Sequence, residues 1–159
     1  MKIISGGQTG ADRAALNAAI ELEMDYGGSI PKGKLAEDGP IDSEKYPHLT
    51  ELEEGEYIVR TRKNVIDADA TLAFTDGALR GGTKKTIEFA KEYKKQYLHV
   101  DLQKVSVEDA MVAITAWLNM IKPQILNVAG SRESSAPGIY SKVYEVLKGV
   151  FQKAPREKR

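Results

Sequence analysis

The sequence predicts an α/β fold, a single-domain three-layer sandwich in which helices cover both faces of a mostly parallel sheet of about five strands. Three observations predict it. Strand-like runs alternate with amphipathic stretches of helix length all along the chain. Glycine-containing turns stand directly after three of those strands. The length, 159 residues with 42% hydrophobic content, suits one buried core.

Each element has a local reason. Residues 2–5 hold Ile3 and Ile4 and stop at Gly6, which predicts a strand. Residues 9–24 carry Ala11, Ala14, Ala15, Ala18, Ala19 and Leu22 at helical spacing, and the alanines permit close packing on a sheet. Residues 26–30 read as a weak second strand interrupted by Gly27 and Gly28. Residues 31–56 lack periodicity; a stretch that long is a lid or binding loop, or else a disordered insertion. Tyr57–Asp67 predicts a helix with Tyr57, Ile58, Thr61, Val65 and Ala68 near one face and Arg60, Arg62, Lys63 and Asn64 elsewhere. Ala70–Thr75 is a strand, and residues 83–95 form a helix with Ile87, Ala90 and Tyr93 or Tyr97 inward. Residues 97–102 make a strand. Residues 106–121 make a helix capped by Ser106, with Trp117 in its core. Residues 125–129 are the last strand and 139–151 the last helix. The domain spans 1–152, and 153–159 is a charged tail expected to fray.

Bulk properties narrow the function. Basic and acidic residues balance at 23 each, which gives no general affinity for nucleic acid. There is no cysteine, so disulfides, thiolate metal sites and cysteine nucleophiles are excluded together. His48 and His99 do not stand at a ligand-pair spacing, and no protein-ligated metal is expected. Without a signal-like start or a run of about 20 apolar residues, the expected address is cytoplasmic, away from the membrane. A homodimer is the expected assembly.

In open parallel sheets, ligands bind beyond the carboxyl ends of the strands, and the unusual residues fall there. The first turn holds Gly6, Gly7, Gln8, Thr9 and Gly10, then Asp12 and Arg13 in the first turn of a helix. Glycines let a ligand approach the backbone, and a helix N-terminus offers free N–H groups to a phosphate. The pattern lacks a P-loop lysine and dinucleotide spacing. The alternative is a tight turn whose glycines serve packing only. Asp12 beside an anion site needs another purpose, such as a ribose, a cation or a pterin-like edge. The second turn places Arg80, Gly81, Gly82 and Thr83 at another helix start, with Glu88 six residues past Gly82. Glu88 is a candidate catalytic acid or base, or an exposed helix glutamate. The third turn offers Gly130, Ser131, Arg132, Glu133 and Ser134, an anion site or a capping cluster. Lys32 and Arg62 are candidates for closing over a bound anion.

These residues carry a resemblance. Residues 4–16 around Gly6-Gly7-Gln8-Thr9-Gly10, Pro31-Lys32-Gly33, Arg60-Thr61-Arg62-Lys63-Asn64, Gly81-Gly82-Thr83 and Leu126-Asn127-Val128-Ala129-Gly130-Ser131-Arg132-Glu133-Ser134 together resemble the circularly permuted YpsA-like family labelled "putative molybdenum carrier". The resemblance spans nearly the whole chain. It implies a Rossmann-like fold shared with Lonely Guy phosphoribohydrolases and DprA-like proteins, and a nucleotide or the molybdenum cofactor (molybdopterin) as the small phosphorylated ligand. The phosphoribohydrolases keep two glycines and a glutamate at the spacing of Gly81, Gly82 and Glu88. Where they carry glycine-threonine, this chain has Lys84-Lys85. Two functions follow: a carrier of such a ligand, or an enzyme cleaving a nucleoside monophosphate at its N-glycosidic bond. Single-stranded DNA binding is a weaker third reading, opposed by balanced charge and 7% aromatic content.

Overall fold

A computed structural model describes residues 1–153, and the expected charged tail lies outside the described residues from 154 onward. The chain runs β1 (Lys2–Ile4), α1 (Ala11–Glu21), β2 (Tyr26–Gly27), β3 (Ser29–Ile30), β4 (Thr50–Glu51), α2 (Tyr57–Asp67) and β5 (Ala70–Thr75). It continues with α3 (Gly81–Glu92), β6 (Gln96–Asp101), α4 (Val107–Ile121), β7 (Ile125–Gly130) and α5 (Ile139–Lys153). Five strands form one parallel sheet in the order β2-β1-β7-β5-β6. This is the predicted Rossmann-like α/β sandwich. No described helix is long and apolar enough to cross a membrane.

The two sheet faces differ because side chains alternate along each strand. Ile3, Leu72, Phe74, Leu126 and Val128 face α1, α4 and α5, where they meet Ala14, Ala18, Ile114, Trp117, Val143 and Leu147 in the main core. The alternate set includes Thr71, Thr75 and Asn127, all buried, and lies toward α2 and α3. One face of the sheet is therefore an apolar core and the other a partly polar floor. β5 lies between β7 and β6 and is buried along its whole length, as an interior parallel strand must be. Ser106 caps α4 by accepting the Asp109 N–H at 3.1 Å.

Four local expectations change. Residues 26–30 form two strands, not one. β2 joins the main sheet, while β3 pairs with β4 in a separate parallel pair. Gly28 makes the break, at φ 129°, where a Cβ would lie 2.7 Å from the Ser5 nitrogen. Residues 31–56 are a packed excursion, not a disordered insertion. Ala36, Ile41 and Tyr46 form a second core with Leu16 and Ile30, and the Tyr46 hydroxyl donates to Asn17 at 2.6 Å.

The third change concerns α2, which buries Arg60, Asn64 and Val65 and leaves Tyr57 and Ile58 exposed. The polar residues go inside because they find partners there. Asn64 accepts the Ser29 N–H at 2.8 Å and donates to the Ser29 carbonyl at 3.0 Å, tying α2 to β3. Fourth, Thr83, Thr86, Ile87 and Ala90 are the inward side of α3, while Tyr93 and Tyr97 are exposed.

Candidate functional site

The carboxyl ends of β1 and β7, the turn after β5 and the starts of α2 and α3 enclose a cleft of about 440 Å³. That volume suits a small organic ligand. Of the residues expected from sequence, Gly6, Gln8, Asp12, Arg80, Gly81, Gly82, Thr83, Gly130, Ser131 and Arg132 line it. Arg60, Tyr57, Ile58, Asn64, Lys85 and Asn127 also line it and were not expected there. The signal for Arg60 and Asn64 was their spacing of four, which puts both on one helix face.

The glycine-rich first turn holds itself together. Gln8 N–H donates to Asp12 Oδ2 at 3.3 Å, and Thr9 N–H donates to Gln8 Oε1 at 3.0 Å. Ala11 N–H donates to the Ser131 carbonyl at 3.1 Å, and Arg13 N–H to the Gln8 carbonyl at 3.0 Å. These donors are spent within the protein. Gly10, at φ 77°, gives the β7 turn room, because a Cβ there would stand 2.8 Å from Glu133 N and closer still to the Ser131 carbonyl. Gly6 leaves space for Arg60, whose Cδ would lie 2.5 Å from a Cβ at that position. In Gly6 and Gly10 the packing alternative accounts for the glycine.

Several expected residues lie off the cleft. Arg13 donates to the Gly7 carbonyl at 2.9 Å and pairs with Asp38 at 3.1 Å. Thr9 donates to Glu37, which also accepts from the backbone N–H and the hydroxyl of Ser134. Those donors hold the Glu37 carboxyl below its usual range against its desolvation. Glu133 accepts the Gly138 and Tyr140 N–H groups at 2.6 and 3.0 Å and caps the start of α5. Lys32 and Arg62 are exposed and do not line the cleft. Glu88 does not line it either; it is 48% exposed and faces Lys85 at 3.8 Å.

A run of three consecutive open donors sits at the start of α3. The N–H groups of Gly81, Gly82 and Thr83 have no hydrogen-bond partner among the described residues. The first turn of α3 holds no acidic residue and Arg80 offers no side-chain cap. The adjoining polar floor is stitched by Asn127 donating to Thr71 at 3.2 Å. Around it stand Arg60, Arg80, Lys85 and Arg132, with Asp12 the one acidic side chain lining the cleft among the described residues. Asp12 is buried and pairs with Arg60 at 3.1 Å. Burial raises its pKa to about 6, although Arg60 and the Gln8 N–H pull it down.

Residues 3–151 match the circularly permutated YpsA SLOG family. The chain belongs to this family. A solved relative, titled "Putative molybdenum carrier protein" from Syntrophus aciditrophicus SB, is 46% identical, with 94% of this chain and 93% of that one covered at a TM-score of 0.90. No curated protein matches the chain. The YpsA-like glycine turn therefore sits in a fold of known shape, and the cleft bounded by α2 and α3 is the feature from which its function has to be read.

Proposed function

We propose that this chain is a binding and carrier protein that holds a small phosphorylated ligand at the C-terminal edge of the sheet. The observation that carries the reading is the start of α3. Three free backbone N–H groups there, at the positive end of a helix dipole, open on a cleft lined by four cationic side chains and one acid. The phosphate is seated on Gly81, Gly82 and Thr83, with Arg80 and Lys85 beside it. The first turn supplies the wall that places Asp12 and Gln8.

The solved relative's title supports the finer reading that the ligand is the molybdenum cofactor. The residues fit such a group, since free donors for a phosphate adjoin a buried polar pair and an exposed aromatic ring at Tyr57. When bound, the cofactor holds molybdenum through its own dithiolene, so no cysteine of this chain is needed. The chain's own work is to bind the phosphate, orient the ring system and shield it. The N-glycosidase alternative required Glu88 at the site, and its outward position leaves that reading without a supporting observation.

Native mass spectrometry of the protein purified from the cells that make it tests the proposal. The expected result is a bound mass matching a phosphorylated pterin or nucleotide. A protein that emerges empty, and whose melting temperature no such compound shifts, overturns it.

A further inference from the structure

Arg60 is nine-tenths buried, and only part of its guanidinium is satisfied. Its Nη1 pairs with Asp12 Oδ2 at 3.1 Å, while its Nε has no hydrogen-bond partner. A buried cationic N–H left unpaired is costly; the Nε itself is sealed from the surface, and the guanidinium reaches the cleft through the rest of its fork. Asp12 has the complementary vacancy. Its Oδ2 takes the Gln8 and Arg60 donors, whereas Oδ1 accepts no hydrogen bond among the described residues and the residue lines the cleft. The pair as a unit carries no net charge. It therefore offers one donor and one acceptor side by side, and suits a neutral polar edge better than a second phosphate.

Next to this pair the cleft wall is apolar. Tyr57 and Ile58, at the start of α2, are 38% and 45% exposed and both line the cleft. The Arg60 guanidinium lies 5.2 Å from the centroid of the Tyr57 ring. An exposed aromatic and an exposed aliphatic side chain beside a neutral donor–acceptor pair are the parts of a site for a flat heterocycle.

We infer that Tyr57, Ile58, Asp12 and Arg60 form a ring-binding subsite for a planar heterocycle with adjacent C=O and N–H groups, the lactam edge that guanine and pterin share. The Arg60 guanidinium donates to the ring carbonyl through its cleft-facing end, Asp12 Oδ1 accepts the ring N–H, and Tyr57 covers the ring face. This deepens the proposed function and rests on it, because the ring's phosphate is the one seated at α3. Gly6 has a role here too: its missing side chain is what lets Arg60 reach the floor of the subsite.

Isothermal titration calorimetry on the full chain tests the subsite with four probes: orthophosphate, ribose 5-phosphate, guanosine 5′-monophosphate and 6-hydroxymethylpterin phosphate. A ring-bearing probe is expected to bind about tenfold or more tighter than ribose 5-phosphate, in line with stacking on one aromatic side chain. The tighter of the two names the source of the ring. Tyr57→Ala, at an exposed position, and Arg60→Lys, which keeps the charge, should each erase most of that advantage. Tyr57→Ala should leave ribose 5-phosphate within about twofold of its wild-type affinity. If the phosphate probes bind and the ring adds nothing, or if Tyr57→Ala weakens all probes equally, the subsite is refuted while the phosphate site stands. If no probe binds, both fall.

Discussion

Replacing Gly10 and Gly82 separately by alanine divides the glycines into those that serve packing and those that serve a ligand. At Gly10 the backbone has φ 77° and ψ −128°. Forcing an L side chain into such a region costs about 1–3 kcal/mol. The added Cβ would also overlap the Ser131 carbonyl and stand 2.8 Å from Glu133 N and 2.9 Å from Arg132 C, all backbone atoms that cannot rotate away. The turns after β1 and β7 must then part. Parting strains the Ala11 N–H bond to the Ser131 carbonyl and the Glu133 N–H bond to Thr9 Oγ1, both 3.1 Å. At about 1 kcal/mol net for each hydrogen bond, the total is about 3–5 kcal/mol. For a domain of this size that lowers the melting temperature on the order of 10 °C. Gly82 lies within α3, a Cβ there meets nothing within 4 Å, and its φ is not in the left-handed region. Alanine favours a helix over glycine by up to about 1 kcal/mol, so Gly82→Ala should melt at or slightly above the wild-type temperature. It should nonetheless weaken orthophosphate binding, because Gly82 lines the cleft beside the open N–H groups and the methyl adds bulk there. Thermal unfolding followed by circular dichroism, with calorimetric titration of phosphate, reads both outcomes. Equal melting temperatures for Gly10→Ala and wild type, or an equal loss for both variants, would refute the division.

Three further outcomes follow from the electrostatics. Asp12 has its folded pKa raised to about 6 from 3.8, so between those values the folded state binds more protons than the unfolded state. Its contribution to stability therefore grows as pH falls through 6 and is lost as pH rises; from pH 7 to 5 the gain is about 1 kcal/mol. Urea denaturation at the two pH values should show that gain in wild type and not in Asp12→Asn; parallel slopes would sink the assignment. Glu37→Ala unpartners Thr9 and Ser134 and should speed amide hydrogen exchange across residues 31–49 without a matching loss in the main core. Unchanged protection there would mean the latch is ornamental. Arg80→Ala, at an exposed cleft residue, should lower orthophosphate affinity about three- to tenfold and leave the melting temperature in place; a variant that binds as wild type does would move the phosphate away from α3.

The strand–helix alternation was legible because periodicity is a backbone property: α1, α4, β5 and β7 lie close to where their apolar spacing put them. The break at Gly28 was not, since its cause is the approach of Ser5, a residue far away in sequence. Residues 31–56 looked structureless because their core is shared. Ala36, Ile41 and Tyr46 show no period of their own and become a core only against Leu16 and Ile30. The face of α2 was misjudged for an opposite reason. Arg60 and Asn64 look like solvent residues until Asp12 and Ser29 are brought beside them, and only the fold supplies those partners.

The same reasoning explains why the most distinctive motif is not the one with open donors. An anion was expected at the N-terminus of α1; the protein's own Asp12 stands in that first turn and accepts the Gln8 N–H. Residues 5–13 then answer to many demands at once. Gly6 must admit Arg60, Gly10 must admit the β7 turn, Gln8 must orient Asp12 and take the Thr9 and Glu37 N–H groups, and Arg13 must clamp the Gly7 carbonyl. Each demand restricts one residue type, and together they produce a distinctive string in which several donors, those of Gly7, Gln8, Thr9, Ala11 and Arg13, are consumed. Gly81 and Gly82 answer to fewer. No described side chain or backbone atom would meet a Cβ at either, and their N–H groups remain open. The first turn is thus the more crowded of the two and the start of α3 the sparser, which is the contrast that the Gly10→Ala and Gly82→Ala pair tests.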